Sequence, residues 1–363
     1  MSAPGTESPS SVTLRSRVLR AVESFGLPRL TVTLFLVFLF ALGTVKGVPV
    51  GNLISNSLSR FGMNAVMVLS MVPAIQSGIG PNFGLPLGLI AGLIGLVTAL
   101  ELRLTGMAGL LAALSMGTLL GAIAGVGYGY LLNRVKGQEM MVGTYVGFAA
   151  VSGMCVFWLL MPFKNPQLLW PLGGLGLRVT ISLGDYFANL LDKLWRFKIG
   201  TIVVPTGLLL TVGLTAGAYK LFTMTRLGTS MDLAGQSEQF ARAAGVNVPK
   251  MRITGTAIST ALAAFGIVLY AHTYGFVQLY LAPLMMAFPA VASILIGGAT
   301  PRSATIANAM IGTLLFQTLL VTTVPVTQSV VSGDISEVVR LIVSNGMVLY
   351  ALTRGQGGGG NGG

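Results

Sequence analysis

The sequence predicts an all-α, polytopic membrane protein, and three properties of the chain lead to this prediction. Of the 363 residues, 53% are hydrophobic and only 9% are charged, whereas soluble chains carry about 25% charged residues. A helix needs about 20 apolar residues to cross a bilayer, so the apolar segments allow roughly eight to ten spans. Runs such as Leu85–Leu100 and Val203–Leu214 do not alternate between apolar and polar residues, as the strands of an outer-membrane barrel do.

Changes in polarity divide the chain into three parts. We expect the polar, basic residues 1–28 to form a cytoplasmic tail, residues 29–354 to form the transmembrane domain, and the Gly-rich residues 355–363 to form a flexible tail. The first apolar segment, Leu30–Thr44, ends in Ala41-Leu42-Gly43, which is similar to a signal-peptide cleavage site. Because the polar region before it is too long and many spans follow, we interpret this segment as an uncleaved membrane anchor.

Further apolar segments predict the remaining spans, and the second span is broken. The predicted bounds are Phe61–Ser77, Leu85–Leu100, Met107–Leu132, Met140–Met161, Ile199–Phe222, Ile253–Tyr270, Leu284–Ile296, Ala304–Val324 and Ile335–Leu352. Pro73, Pro81 and Pro86 each lack a backbone N–H donor, so no continuous helix is expected across residues 73–86. This break either lines a solute pathway or forms a structural re-entrant turn.

Lysine and arginine residues set the expected orientation, because short cytoplasmic loops are enriched in them. The basic tail, Arg134 with Lys136, and the loop 223–252 are expected in the cytoplasm, which places residues 163–198 in an extracytoplasmic loop. That loop is also basic, and this conflicts with the rule, although longer loops obey it less strictly. The net charge of +12 is explained by residues that flank spans, so we expect no nucleic-acid partner.

Two further patterns predict local structure. Apolar residues recur at steps of three and four in 183–198, so we expect an amphipathic helix on the outer surface, as a bilayer anchor or a docking surface. Glycines four residues apart predict close helix packing, or contacts that slide during transport. These glycines are Gly117, Gly121, Gly125 and Gly129, then Gly143 with Gly147, and Gly213 with Gly217.

The residues that catalysis or metal binding would need are scarce. Cys155 is the single cysteine, and His272 is the single histidine, so a multi-histidine metal site is excluded. We expect His272 at the membrane interface, with contact to a solute as the minority interpretation. No lysine follows a glycine, so a phosphate-binding P-loop is absent. We therefore expect no enzyme activity and no cofactor, and the energy for any transport must come from another chain.

Residues 228–249 predict a short helix that is capped at both ends. Ser237 is a good N-cap and Glu238 lies in the first turn, where a negative charge favours the helix dipole. Gly245 provides a C-cap and Pro249 prevents extension. A short, stiff helix between two spans fits a groove on a partner protein.

This segment resembles the cytoplasmic coupling loop of ATP-binding-cassette (ABC) importer permeases of the ribose/simple-sugar and branched-chain amino acid group. The matching residues are Gly228, Gly235, Ala241, Arg242, Gly245, Val246, Asn247 and Val248. Thr229, Ser237 and Phe240 depart from the family pattern. Residues 287–300 also resemble a family segment, and residues 77–84 are similar to sugar-permease and nucleoside-permease motifs, so the resemblance covers roughly residues 30–352.

The resemblance implies the permease subunit of an importer in the bacterial inner membrane that passes a simple sugar or a nucleoside. It implies ATPase subunits that bind the ATP, a second permease chain in a homodimer or heterodimer, and an extracytoplasmic solute-binding protein. The expected ATPase-coupling residues are Gly228, Gly235, Ser237, Glu238, Ala241, Arg242 and Gly245, and the expected solute-pathway residues are Gln76, Ser77, Asn82 and Phe83. A stand-alone secondary transporter or facilitator, and a membrane scaffold, remain as alternatives.

Overall fold

The computed structural model describes residues 27–170, 176–330 and 333–357 of the chain. Most of the predicted N-terminal tail and of the Gly-rich C-terminal tail lies outside these residues. The described part is almost entirely helical, and its core is built from helices that pack along one another.

The helices of the first half include the predicted broken span. They are α1 (Leu27–Val45), α2 (Val50–Leu69), α3 (Met71–Gln76), α4 (Leu85–Glu101), α5 (Gly106–Arg134) and α6 (Glu139–Leu160). The chain continues from α2 into α3 with only Ser70 between them, and Pro73 is accommodated near the start of α3. Residues 77–84 then form turns before α4 begins, so the predicted interruption between residues 73 and 86 is confirmed.

The second half contains shorter elements between its long helices. Its helices are α7 (Leu190–Lys193), α8 (Thr206–Thr223), α9 (Arg226–Gln236), α10 (Glu238–Ala243), α11 (Val248–Tyr274), α12 (Ala282–Ile296), α13 (Ile306–Gln328) and α14 (Gly333–Gly357). Its strands are β1 (Thr180–Ser182), β2 (Phe197–Ile199), β3 (Ile202–Val204) and β4 (Phe276–Gln278). β1 pairs antiparallel with β4, and β2 pairs antiparallel with β3.

The described helices confirm an all-α, polytopic membrane protein. Among the described residues, seven helices are long and apolar enough to cross a membrane, with α2 and α3 counted as one. The number is eight if α8 and α9, which meet at a bend of 80°, form one broken span. The apolar helices α4 and α12 are shorter. The second span begins at Val50 rather than at Phe61. The first turns of α2 contain polar residues, so a prediction from apolar runs does not include them.

The two ends of the bundle differ, and we name them by their loops. The loop end carries α9 and α10, and the far end carries residues 161–170 and 176–205. α11 runs from the loop end to the far end. α2 and α3 run the opposite way, since the Ser55 hydroxyl near the start of α2 accepts a hydrogen bond from Val203 N at the far end (2.8 Å).

The predicted amphipathic helix over 183–198 is wrong. Only α7 is helical in this segment, and Asn189 and Trp195 have positive φ values that interrupt a helix. The periodic apolar residues are used differently, because Leu183 and Phe187 are fully buried beneath the far-end loop. The apolar residues of 183–198 recur because several of their side chains are buried, and not because the segment is a helix.

Close glycine packing is confirmed along α5. A Cβ at Gly121 would lie 2.8 Å from Thr260 O, and one at Gly125 would lie 2.7 Å from Ala257 Cα, so the backbones of α5 and α11 are in direct contact. Gly213 and Gly217 behave differently, since a Cβ at either would meet nothing within 4 Å in the described chain.

Candidate coupling site and solute pathway

The predicted short helix is α10, and both of its caps are present. The Ser237 hydroxyl accepts a hydrogen bond from Phe240 N (3.3 Å), and Gly245 lies just beyond the helix at φ +78°. Sequence analysis missed α9, which precedes α10 directly. The signal for α9 is Thr225, whose hydroxyl accepts from Gly228 N (3.2 Å) as an N-cap.

Glu238 fixes α10 to the loop between α5 and α6. Its carboxylate receives Lys136 Nζ at 2.6 Å and Arg242 Nη2 at 2.6 Å. The hydrogen bond from Lys136, and then that from Arg242, hold the pKa of Glu238 below its ordinary value of 4.5. Because the lowered pKa means that the folded protein favours the charged carboxylate, this contact stabilises the fold at neutral pH and is lost as the pH falls through the lowered pKa.

The pair formed by α9 and α10 has one buried face and one exposed face. Met231 and Ala241 are fully buried and pack in a cluster with Val248 and Met251 at the start of α11. Phe240, by contrast, is 61% exposed. The pair is therefore held firmly on the bundle while presenting an apolar side chain outward.

Gly235 connects α9 to the broken span. A Cβ at Gly235 would overlap the carbonyl of Gln76 and lie 3.0 Å from Gly78 N. Gly78 has φ +79°, and a Cβ there would lie 3.2 Å from Gly235 Cα. Backbone therefore touches backbone at this point, with no flexible side chain between α9 and the break.

A buried ion pair, which sequence analysis did not identify, supports the same junction. Arg252 Nη2 at the start of α11 lies 2.5 Å from Glu139 Oε1 at the start of α6, and the two side chains are only 6% and 14% exposed. Arg252 Nη1 also donates to the Gly78 carbonyl (3.4 Å). The sequence pattern places Arg252 in the loop 223–252. When distant segments of the chain bury a charged side chain, no local pattern in the sequence indicates it.

A cavity of about 960 Å³ opens at the loop end, where these elements meet. Gly78 to Gly80 of the break form one wall, and α9 and the start of α6 form others. Arg302, in the loop between α12 and α13, lines it as well. The cavity therefore borders both the candidate coupling elements and the break.

The predicted pathway residues lie around the break but do not share one cavity. Gln76 accepts a hydrogen bond from the Tyr219 hydroxyl (2.5 Å) and donates to the Ala304 carbonyl (3.0 Å). Asn82 is 1% exposed and donates to Ser259 Oγ (2.8 Å).

The two other pathway residues also make contacts within the protein. Ser77 is fully buried and donates to the Ala74 carbonyl (2.9 Å). Phe83 packs edge-on against Phe288, with ring centroids 6.1 Å apart. Gln76 is the one member of the predicted set that joins the break to α8 and to the residues before α13.

His272 lies away from these sites, in the last turn of α11. Its side chain is fully buried at the end of α11. Its Nε2 accepts hydrogen bonds from Leu190 N (2.8 Å) and Leu191 N (3.3 Å), which are the first backbone donors of α7. His272 therefore anchors the far-end loop.

A multi-pass helical bundle with a broken span, and a helical pair packed on that break, defines the chain as a polytopic membrane protein. The sequence profile of the family described as "Branched-chain amino acid transport system / permease component" matches residues 53–352, and the chain belongs to this family. No curated protein and no solved structure matches the chain.

Membership confirms the resemblance identified from the sequence motifs. The chain is a permease component of an ABC-type transport system and a multi-pass membrane protein. As such it is a transport subunit, and the family implies an ATPase partner.

Proposed function

We propose that the chain is the permease subunit of an ABC importer in the bacterial inner membrane. It passes a small polar solute, with a simple sugar or a nucleoside as the class that the sequence motifs favour. The observation that supports this most directly is the backbone contact between Gly235 of α9 and the break at Gln76 to Gly78. Because of that contact, a movement of α9 is transmitted directly to the broken span.

In this proposal α9 and α10 lie at the cytoplasmic face and bind the ATPase. Phe240, exposed on α10, enters a groove on the ATPase in the way that a short helix fits a partner. ATP binding and hydrolysis on the partner move the helical pair. The motion reaches the break through Gly235, and the Glu139–Arg252 ion pair moves α6 and α11 with it.

The assembly contains two permease chains, as a homodimer or a heterodimer, with two ATPase subunits. α1, α6 and α14 expose many apolar side chains, which face lipid or the second permease chain. An extracytoplasmic solute-binding protein delivers the solute at the far end, on the opposite side from α9 and α10.

A stand-alone secondary transporter or facilitator is the alternative. Such transporters commonly hold an ionisable residue at membrane depth to couple ion movement. Glu139 is buried, but it lies at the loop end and is neutralised by Arg252. The paired state of Glu139 favours a structural role over proton or ion coupling.

Replacement of Gly235 tests the coupling proposal. We expect Gly235→Leu to separate ATP hydrolysis from transport, so that the purified complex hydrolyses ATP while solute uptake falls at least several-fold, because the leucine forces α9 away from the break. Gly213→Leu is the matched control, since Gly213 is exposed on a helix and a Cβ there would meet nothing within 4 Å in the described chain.

Two results would count against the proposal. Normal uptake by Gly235→Leu at normal expression would remove α9 from the coupling route. Gentle purification of the wild-type chain without an associated P-loop ATPase, combined with uptake that persists after ATP depletion, would favour the stand-alone transporter.

A further inference from the structure

A segment of the far-end loop exposes large apolar side chains next to basic ones. We call residues 193–204 the hairpin segment, since they contain β2 and β3, and every residue from 193 to 201 is exposed. Its large apolar residues Leu194, Trp195, Phe197 and Ile199 are 42%, 64%, 60% and 69% exposed. A contiguous group of such side chains marks a surface that contacts another molecule or a membrane.

The pairing of the two strands separates the apolar side chains from the charge. Phe197 pairs with Val204, and Ile199 pairs with Ile202. Because side chains alternate along a strand, these four residues lie on one face of the hairpin and Lys198 lies on the other. The hairpin therefore has an apolar face and a face that carries a positive charge.

The hairpin segment lies at the ends of two helices that belong to membrane spans. A Cβ at Gly51, in the first turn of α2, would overlap the Thr201 side chain. Ser55 of α2 accepts a hydrogen bond from Val203 N (2.8 Å), and β3 leads through Pro205 into α8. α2 is long and apolar enough to cross a membrane together with α3, and so is α8 together with α9. The ends of such helices lie where the bilayer meets water.

Three cations of the hairpin segment have no carboxylate partner within the protein. They are Lys193, Arg196 and Lys198, all exposed, and none of them takes part in an ion pair among the side chains that the structure describes. Asp192, the adjacent acidic residue, is half-buried, and its Oδ2 is enclosed by the protein. The positive charge of the segment is therefore available to an anion outside the chain.

We propose that the hairpin segment lies in the membrane interface and binds anionic lipid headgroups. Phe197 and Ile199 enter the boundary of the acyl chains, and Trp195 lies at headgroup level, where tryptophan is enriched. The three cations bind headgroup phosphates, and the guanidinium of Arg196 does so with two parallel hydrogen bonds. Apolar burial and attraction between cations and anionic lipids together hold interfacial segments on a bilayer.

The position of the hairpin segment favours lipid over a protein as its occupant. An acidic protein surface would also complement the three cations, but it would not require the segment to lie at the ends of two spans. Lipid binding also gives the cations a role in a loop that we expect outside the cell, where lysine and arginine are depleted. The proposal does not depend on the transport function or on the identity of the solute.

The depth of the hairpin segment is measured on the full chain in lipid vesicles. In a Cys155→Ala background, Ile199→Cys and Asp185→Cys each carry a nitroxide label. We expect the label at position 199 to collide more often with oxygen, which concentrates in the acyl region, than with a nickel chelate that stays in water. The label at position 185 shows the reverse, since Asp185 is exposed in the same loop but outside the hairpin segment.

The preference for anionic lipid is measured by quenching of tryptophan fluorescence. Trp158 is fully buried, so Trp195 is the exposed tryptophan of a Trp170→Phe variant, and a further Trp195→Phe change supplies the background. Vesicles contain equal amounts of phosphatidylcholine and phosphatidylglycerol, and one of the two lipids is brominated. We expect phosphatidylglycerol to be enriched about fivefold near Trp195, the factor that one cation contributes at an anionic surface.

Paired charge variants assign that preference to the hairpin segment. We expect Arg196→Gln with Lys198→Gln to lower the enrichment below about twofold. Arg103→Gln with Lys164→Gln is the matched control, with the same change in net charge at the same end of the bundle. Both of its positions are exposed, and they lie together near Glu101, which accepts a hydrogen bond from Lys164 N (2.7 Å). We expect this control to keep the enrichment.

Salt provides a second measurement that needs no charge variant. Raising the ionic strength from about 0.1 M to 1 M shortens the Debye length from about 10 Å to 3 Å, so we expect the enrichment to fall. Equal quenching by the two brominated lipids, or an equal loss of enrichment in both paired variants, would overturn the proposal. A label at position 199 that is as accessible to the chelate as the one at position 185 would also overturn it and would indicate a protein partner. None of these measurements uses ATP or a solute, so their failure leaves the proposed transport function intact.

Discussion

At the scale of single residues, burial of charge separates two kinds of ion pair in this protein. The side chains of Arg252 and Glu139 are almost completely buried. The side chain of Glu238, which pairs with Lys136 and Arg242, is 39% exposed. Exposed pairs contribute little to stability, because water screens them. Removal of one partner from a buried pair leaves a charge without compensation.

We therefore predict that Glu139→Gln destabilises the protein by about 3–5 kcal/mol. The remaining hydrogen bonds of Arg252, to the carbonyls of Gly78 (3.4 Å) and Leu132 (3.5 Å), are too long to replace the carboxylate. The measurement is thermal unfolding of the detergent-solubilised protein. Glu238→Gln is the control, with a much smaller expected effect, and equal shifts for the two variants would contradict this account.

At the scale of elements, the break between α3 and α4 is held by side chains from three other parts of the chain. Gln76 joins it to Tyr219 of α8 and to Ala304, and Asn82 joins it to Ser259 of α11. These bonds satisfy both ends of the Gln76 amide and the N–H donor of the Asn82 amide, which lie inside the bundle. The break is therefore tied to α8, to α11 and to the residues before α13.

We predict that Gln76→Leu combined with Asn82→Leu slows solute uptake several-fold while assembly with the ATPase persists. The reason is that the break loses its fixed position relative to α8 and α11, whereas α9 and α10 keep their exposed surface. Uptake and co-purification of the ATPase are measured on the same cells. The control is Asn52→Leu, at an exposed position on α2. Unchanged uptake by the double variant would show that the break has a purely structural role.

At the scale of the whole molecule, the two ends of the bundle have opposite roles in the proposed function. The loop end holds the coupling pair α9 and α10, and the far end holds the loop that His272 anchors through α7. Basic residues occur at both ends, so charge alone does not fix the orientation. Direct labelling of each end determines the orientation of the protein in the membrane.

We predict that a cysteine at Asp185 reacts with a membrane-impermeant thiol reagent in intact cells. In cells that express the chain without its ATPase, a cysteine at Phe240, which lies at the opposite end and is 61% exposed, reacts only after the membrane is permeabilised. Both variants carry Cys155→Ala, and the parent with that change alone is the control for background labelling. The reverse pattern would invert the topology and place α9 and α10 outside the cell.

The features that the sequence determined by itself are those with local causes. The apolar runs defined the spans, because a bilayer requires a minimum length of apolar helix. The prolines between residues 73 and 86 defined the break, because proline lacks the backbone donor. Ser237 and Gly245 defined α10, because caps act within one helical turn. The coupling-loop motif, which is also local, identified the family.

The features that only the tertiary structure decided depend on residues far apart in the chain. A Cβ at Gly235 would overlap the break, whereas one at Gly213 would meet nothing within 4 Å in the described chain. Both are glycines in helices, and the difference arises because close contact requires a second segment. The same holds for the buried pair Arg252–Glu139. Burial and charge compensation are properties of the packed bundle, and no local pattern of residues encodes which distant segments enclose a given side chain.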